Sequence, residues 1–562
     1  MRTFTIIGLL FSCLSLHAQI YVDTDATGTN DGTSWANAFT FLDTALSSAS
    51  VNDQIWVAEG IYVPRDSFMS VLILFPITKD IKLYGGFDGT ETMLSERDPV
   101  QHLTILSGDV NGDDIAGDFL NNRTDNREAI SFIADSISSA TIIDGFTFRG
   151  GHAAGIINNI GAAMTMAGSP LIRNCIFTNN YSRSAGGAVF IGFSDAVYAV
   201  IEDCAFSENL CDGFGGAINV QDVRLDGDPL QIINCSFTDN EADNSGGAVR
   251  AISSDLRIKG CTFDGNASGS FGGGLSVYQV SPDLKVEVDD NSFIGNQSNV
   301  GGGFFYEPEN TGNSITVKHC DFKDNTANAN GGGLRFFFDP AGRDVDASIH
   351  HCTFERNYAE KFGSGANITF AAANVGVDVD SCMFSENSSA PTEIGGSLII
   401  YSGAPSSSLQ LSHTTFTQNF GFQGGGLLIE TGTGGELTTM VQNCDFTQNT
   451  GSFLAGGMSV VVQQGTELLD LNIMDCTFAE NRMIRRGGPS RGSAIFLGHA
   501  DADYDININR CTFTGNKNEN GAAGIEIREL AHAQQESGAK IAIENSLFAQ
   551  HDTGETVIVF TK

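Results

Sequence analysis

The sequence predicts an all-β solenoid, a right-handed parallel β-helix with three short strands per coil and a helical cap at the N-terminal end. Phenylalanine recurs thirteen times, about every thirty residues, from Phe177 to Phe548. In twelve of the thirteen units Asn follows three residues later, from Phe177/Asn180 to Phe513/Asn516, and His551 takes that place in the last. A glycine pair usually comes about nine residues after the Phe, as at Gly186–Gly187, Gly215–Gly216 and Gly246–Gly247. Self-similarity at a fixed period is the mark of a repeat architecture.

Counted from the Phe as zero, position −5 is always aliphatic (Ile172, Ile201, Ile232, Val317, Ile349) and −7 often is (Leu230, Leu256, Ile315). A spacing of two places side chains on one face of a strand. Cys at −2 and Phe at 0 again differ by two and define a second inward face. The odd step from −5 to −2 breaks the period, so the chain bends at −4/−3, where Asn, Asp, His or Gly usually stand. Asn at +3 predicts a turn, because its side chain bonds local backbone and it tolerates left-handed φ. After the glycines an apolar residue near +12 (Val189, Ile218, Val249, Leu275, Leu334) predicts a third strand. The L-x-x-L-x-L pattern of leucine-rich repeats is missing, and a propeller blade needs about forty residues. Coils stacked at roughly 4.8 Å put Phe on Phe and Asn on Asn, and about sixteen of them make a rod of roughly 75 Å.

Ten cysteines occupy position −2, in runs of four, three and three interrupted by Asn291 and Thr414. Neighbouring Cα atoms at strand spacing are close enough to bridge, but a run of three leaves a thiol unpaired. The ladder therefore reads as small buried hydrophobes rather than disulfides. Cys211 is out of register and reads as a loop residue, the expected reactive thiol.

Residues 1–19 read as an export signal: Arg2, then the apolar stretch Ile6 to Leu16, then cleavage near Ala18–Gln19. Lipidation at Cys13 is the minor alternative. Residues 20–145 lack the repeat and form the cap and first irregular coils. Within them Ser34 to Ser48 (Trp35, Ala38, Phe41, Leu42, Ala45, Leu46) has helical apolar spacing and suits the cover that an open solenoid end requires. Residues 146–562 carry the repeats, opening on a degenerate unit at Phe148. They run to the last residues, so either the final strand caps the rod or the chain is a fragment of something longer.

Sixty-six glycines against eleven prolines indicate turns built on glycine's freedom, and 41 % apolar residues suffice for a core. A net charge of −37 repels phosphate backbones and anionic lipid, which argues against nucleic acid as a partner. No segment after the leader is apolar enough for a transmembrane helix.

The Gly-Gly-Ala-Ile/Val tetrads (186–189, 215–218, 246–249) paired with Phe-x-x-Asn resemble the repeats of the polymorphic outer membrane protein family. The stretch from Tyr21 through Gly-Thr-Ser-Trp, Val-Ala-Glu-Gly-Ile-Tyr and Leu-Tyr-Gly-Gly-Phe-Asp-Gly resembles the N-terminal part of secreted bacterial proteins of the pectin-lyase-like β-helix superfamily. The first resemblance implies a surface adhesin, secreted or associated with the outer membrane, with a surface glycan or a protein as its ligand. The family's C-terminal barrel is not part of this sequence. The second implies the alternative, a polysaccharide lyase or glycoside hydrolase acting on acidic polysaccharide.

Hydrolase motifs are poorly matched: Arg257-Ile-Lys259 stands alone without Gly-His-Gly, and its outward residues flank the inward Ile258. A lyase needs a base, often Lys or Arg, and a cation beside the uronate carboxylate. Basic residues thicken between 318 and 361. His319 and His351 share position −3 and are expected to stack; with Arg335 and Lys361 they are the catalytic candidates. Asp109-Val-Asn111-Gly-Asp113-Asp114 spaces oxygen ligands as a calcium loop does, without the distal Glu of an EF-hand. Calcium is thus a candidate ion, and no motif requires a cofactor. Phe304-Phe-Tyr306 and Arg335-Phe-Phe-Phe338 are expected to expose aromatic surface, Phe337 facing outward while Phe336 is buried.

Overall fold

A computed structural model describes residues 18–561 except 64–74, 120, 122, 124–125, 156–158, 194–196, 224–228, 392–393, 485–491, 500–502, 519–522, 530–539 and 550–558. The leader, Cys13 and His551 lie outside the described residues. The chain is an all-β right-handed parallel solenoid. Its coil has four sides rather than three. In the coil of Phe354 the sides are Val345–His350 (sheet A), Thr353–Glu355 (sheet B), Tyr358–Ala359 (sheet C) and Ala366–Phe370 (sheet D). Among the described residues the four sheets have 17, 16, 13 and 16 strands, and the strand pairs are parallel. The extra side, sheet C, is mostly made of two-residue strands just after the Asn, too short to leave a hydrophobic period in the sequence.

The ladders set the register. Fourteen phenylalanines from Phe148 to Phe548 stack face to face with centroids 4.5–5.1 Å apart and planes 2–10° from parallel. Beside them the Asn row is fully buried, which corrects the expectation that Asn itself makes the turn. The amide of Asn357 donates to the Phe322 carbonyl at 2.8 Å and to Asn387 Oδ1 at 3.0 Å, and its own Oδ1 accepts from Asn325 at 3.0 Å. Left-handed φ falls on the residue before it, at Asn179, Glu208, Asp239 and Arg356, and again at −3, at Asn174, Asp203, Asn234, His319 and His351. The corner strain sits on exposed residues, so that Asn can turn inward and satisfy main-chain groups that would otherwise be buried without partners. The second glycine of each pair is there for close approach: a Cβ at Gly187 would lie 2.0 Å from the Gly216 carbonyl oxygen.

All eleven described cysteines are free and buried. Each ladder thiol lies over main-chain carbonyls; Cys352 Sγ is 3.3 Å from the His350 oxygen and 3.7 Å from that of Val317. Asn291 and Thr414 keep the same geometry, donating to the Asp289 carbonyl at 3.0 Å and the Ser412 carbonyl at 2.8 Å. The position thus accepts any small donor. Cys211 is not the exposed loop thiol expected: it lies buried in Leu210–Cys211 of sheet C, and burial pushes its thiol up to about 11.

At the N-terminal end, the helix α1 (Leu42–Ser48) turns Leu42, Ala45 and Leu46 into the core beside Ile20, Val22, Ile55 and Val57 and covers the first coil. The expected single helix from Ser34 is broken. Trp35–Asn37 form a 3₁₀ turn, after which Phe39 pairs with the first strand, its N–H donating to the Tyr21 carbonyl at 2.9 Å. That strand pairing satisfies backbone groups a continuous helix would have taken. No helix among the described residues is long and apolar enough to cross a membrane.

Candidate functional site

His319 and His351 sit at successive left-handed corners between sheets A and B. Their rings lie 5.3 Å apart, as the shared −3 position predicts. His319 Nδ1 is 3.0 Å from Asp289 Oδ1, and Lys259 approaches the other carboxylate oxygen at 3.2 Å. One residue earlier in the chain, His350 Nε2 meets Asp378 at 3.1 Å; further along the corner row His413 Nδ1 meets Asp380 at 2.8 Å. Burial works to raise the Asp380 carboxyl, but hydrogen bonds from Ser412 and His413 outweigh it and hold it at about 2. In the corner row His319 and His413 pair with carboxylates, while His351 stacks on His319.

The other two catalytic candidates lie elsewhere on the coil. Arg335 is in sheet D, almost fully buried, bonded to Asn367 and, at 2.6 Å, to Thr369, with Phe337 5.2 Å away. Desolvation lowers its guanidinium to about 9. Lys361 is exposed on the turn between sheets C and D, its N–H bonded to the Ala329 carbonyl at 2.9 Å. The four candidates, close in sequence, are thus dispersed around two successive coils, because the chain turns a corner every few residues. The expected aromatic stripe is mostly covered: Phe304, Phe305, Tyr306, Phe336 and Phe338 are buried, while Phe337 is partly exposed.

In the acidic turn, Asp109, Asp113 and Asp114 bring carboxylate oxygens within 4.8 Å of one another. Between them, Asn111 Oδ1 accepts the Asp113 N–H at 3.1 Å, closing a local turn. Asp114, the last residue of the same motif, adds a third carboxylate. Arg123 already reaches Asp114 at 2.5 Å and so offsets part of the negative charge.

Two recesses were not legible in the sequence. On the outer face of sheet A, adjoining shallow grooves of about 370 and 480 Å³ share Ser314 and Thr316 and form one polar track across six coils. One end has Arg257 and Lys318 on Glu287 at 2.7 and 2.9 Å; the other carries Ser348, Asp378, Ser408 and Gln410. Hydrogen bonds from Lys318, against the opposing effect of burial, keep the Glu287 carboxyl below its ordinary value. A larger groove, about 1140 Å³, opens between residues 94–103 and the outer face of sheet B.

The fold defines the class, a right-handed β-helix, and the family described as "right handed beta helix region" matches residues 160–339. Among solved structures the chain is similar to the A-module of the Azotobacter vinelandii mannuronan C-5 epimerase AlgE6. That likeness has 10 % identity over 90 % of this chain and 94 % of the other, with a TM-score of 0.29. It is also similar to XylC in its complex with xylose, with 9 % identity over 94 % of this chain and 86 % of the other and a TM-score of 0.27. No curated protein matches the sequence.

Proposed function

We propose that the chain is an exported, surface-displayed β-helix that acts as a binding scaffold of the adhesin type, for a glycan or a protein. The observation that carries this reading is the track on sheet A. Its hydroxyls, amides and ion pairs recur at strand spacing, in line with the rod axis, and suit an extended ligand with a polar group at each step. The resemblance of the Gly-Gly-Ala-Ile/Val and Phe-x-x-Asn units to polymorphic outer membrane protein repeats supports the same reading, as does the export-type leader.

The test is a glycan array and a cell-adhesion assay with the mature chain and with Thr316→Trp, which fills the middle of the track from an outward-facing, half-buried position. Retained ligand binding in Thr316→Trp would remove the track from the proposal. Incubation with acidic polysaccharides tests the enzymatic alternative: unsaturated products that disappear in His351→Ala would overturn a binding-only role. A calcium ion held by Asp109, Asp113 and Asp114 is proposed as a stabiliser of the first coils. Calcium should then raise the thermal midpoint of the parent and not that of Asp113→Asn.

A further inference from the structure

The groove beside residues 94–103 has a wall that is held in place from behind. Arg97 pairs with Asp144 at 2.6 Å and donates to the Gly85 carbonyl at 3.0 Å. Asp144 is wholly buried and also takes Arg173 at 2.7 Å and Asn174 at 3.0 Å. Glu96 accepts the Thr92 and Met93 N–H groups at 2.7 and 2.9 Å, and Asp98 those of Val100 and Gln101 at 3.0 and 3.1 Å. On this pinned backbone Val100 remains 80 % exposed and Leu103 43 %, and Ile176 opposite them 38 %. A loop so constrained cannot collapse to hide apolar surface, and exposed apolar groups gathered round a concavity mark a contact site.

The opposite wall is polar. Asp203 and Asn234 project from successive corners, and neither side chain makes a hydrogen bond or ion pair among the described residues. Ser236 and Thr262 add exposed hydroxyls from the outward row of sheet B. Charge narrows the ligand. The guanidinium lining the groove, that of Arg97, is already answered by Asp144, whereas Asp203 keeps its negative charge unanswered. An anionic ligand meets repulsion there and finds no cation to pair with. A purely apolar ligand would strip water from Asp203 and Asn234 and leave them unpaired. A molecule with an apolar CH face, hydroxyl edges and no charge satisfies both walls.

We infer that this groove binds a neutral oligosaccharide. The inference rests on the binding-scaffold reading and adds a second site with its own ligand class, away from the sheet A track. The test measures binding of the mature chain to cello-, manno- and malto-oligosaccharides and to oligogalacturonate by calorimetry. At least one neutral series should bind, oligogalacturonate should bind at least tenfold more weakly, and Ser236→Trp should abolish the neutral binding. Asn234→Ala, which removes one exposed amide and no core contact at a modest strain in its left-handed corner, should weaken it several-fold; Thr316→Trp should leave it unchanged. No binding of any neutral series, tighter binding of oligogalacturonate, or neutral binding indifferent to both Ser236→Trp and Asn234→Ala would overturn the inference. Binding lost in Thr316→Trp alone would overturn it while leaving the scaffold reading standing.

Discussion

Thr353 and Phe354 are neighbours in one three-residue strand, yet they obey different constraints. Phe354 is buried between Phe322 and Phe384, with centroids 4.8 and 4.5 Å away. Thr353 lies in an outward row that reads Asp321, Thr353, Met383, Thr415 along the rod. Inside, every coil is the mould for the next, so a change in one is felt by two others. Outside, each coil is free to differ, and the two recesses arise where it does. The interior is therefore where stability should be lost, and the exterior where function should be lost without it.

The sharpest form of that contrast is Phe354→Ala against Thr353→Ala. The first should cost about 3–5 kcal/mol by guanidinium denaturation, and the second less than about 0.5; similar losses would refute the division. Next, Asp144→Asn should cost about 3 kcal/mol, since it leaves Arg97, a partly buried guanidinium, facing a neutral group. Although Asp144 lies deep, it belongs to the groove's support, and the variant should also weaken any ligand held there. Burial alone would raise the Asp144 carboxyl, but the hydrogen bonds of Arg97 and Asn174 outweigh it and hold it below its ordinary value. Its stabilisation is therefore complete above the unfolded carboxyl value of about 3.9 and is lost as pH falls through the lower folded value. Acid titration of the parent and of Asp144→Asn should show that difference vanish at the acid end.

Asn357→Ala is smaller again, about 2 kcal/mol, because it strands the Phe322 carbonyl and breaks the amide chain between Asn325 and Asn387. Last, the ladder thiols and Cys211 should resist alkylation in the folded protein and react fully after denaturation, read by mass spectrometry. Rapid labelling of Cys211 in the native state would contradict its burial.

Much of the interior was readable from spacing. Phe at 0, Cys at −2 and aliphatics at −5 fell on inward positions because period-two alternation is a local property of a strand. Asn at +3 was recognised but misplaced. A residue type that favours turns can equally serve as a buried amide beside one, and only the φ values tell which. Cys211 was misjudged for a related reason, since the two-residue strand that buries it is shorter than any periodicity. Among the site residues the His319–His351 stack followed from their common register. Arg335 and Lys361 did not join them, because sequence nearness means little in a chain that turns a corner every few residues. Nothing in residues 94–103 announced a wall.

The repeat alone was enough for the solenoid, its register and its free thiols, because residues one coil apart in sequence are also neighbours in space. The groove required the tertiary structure. Its walls come from residues 94–103, which do not repeat, and from Asp203, Asn234, Ser236 and Thr262, whose residue types recur at the same positions in other coils and so do not mark the groove. They are brought together by the buried pairing of Arg97 with Asp144, forty-seven residues apart. A long-range ion pair leaves no period to read.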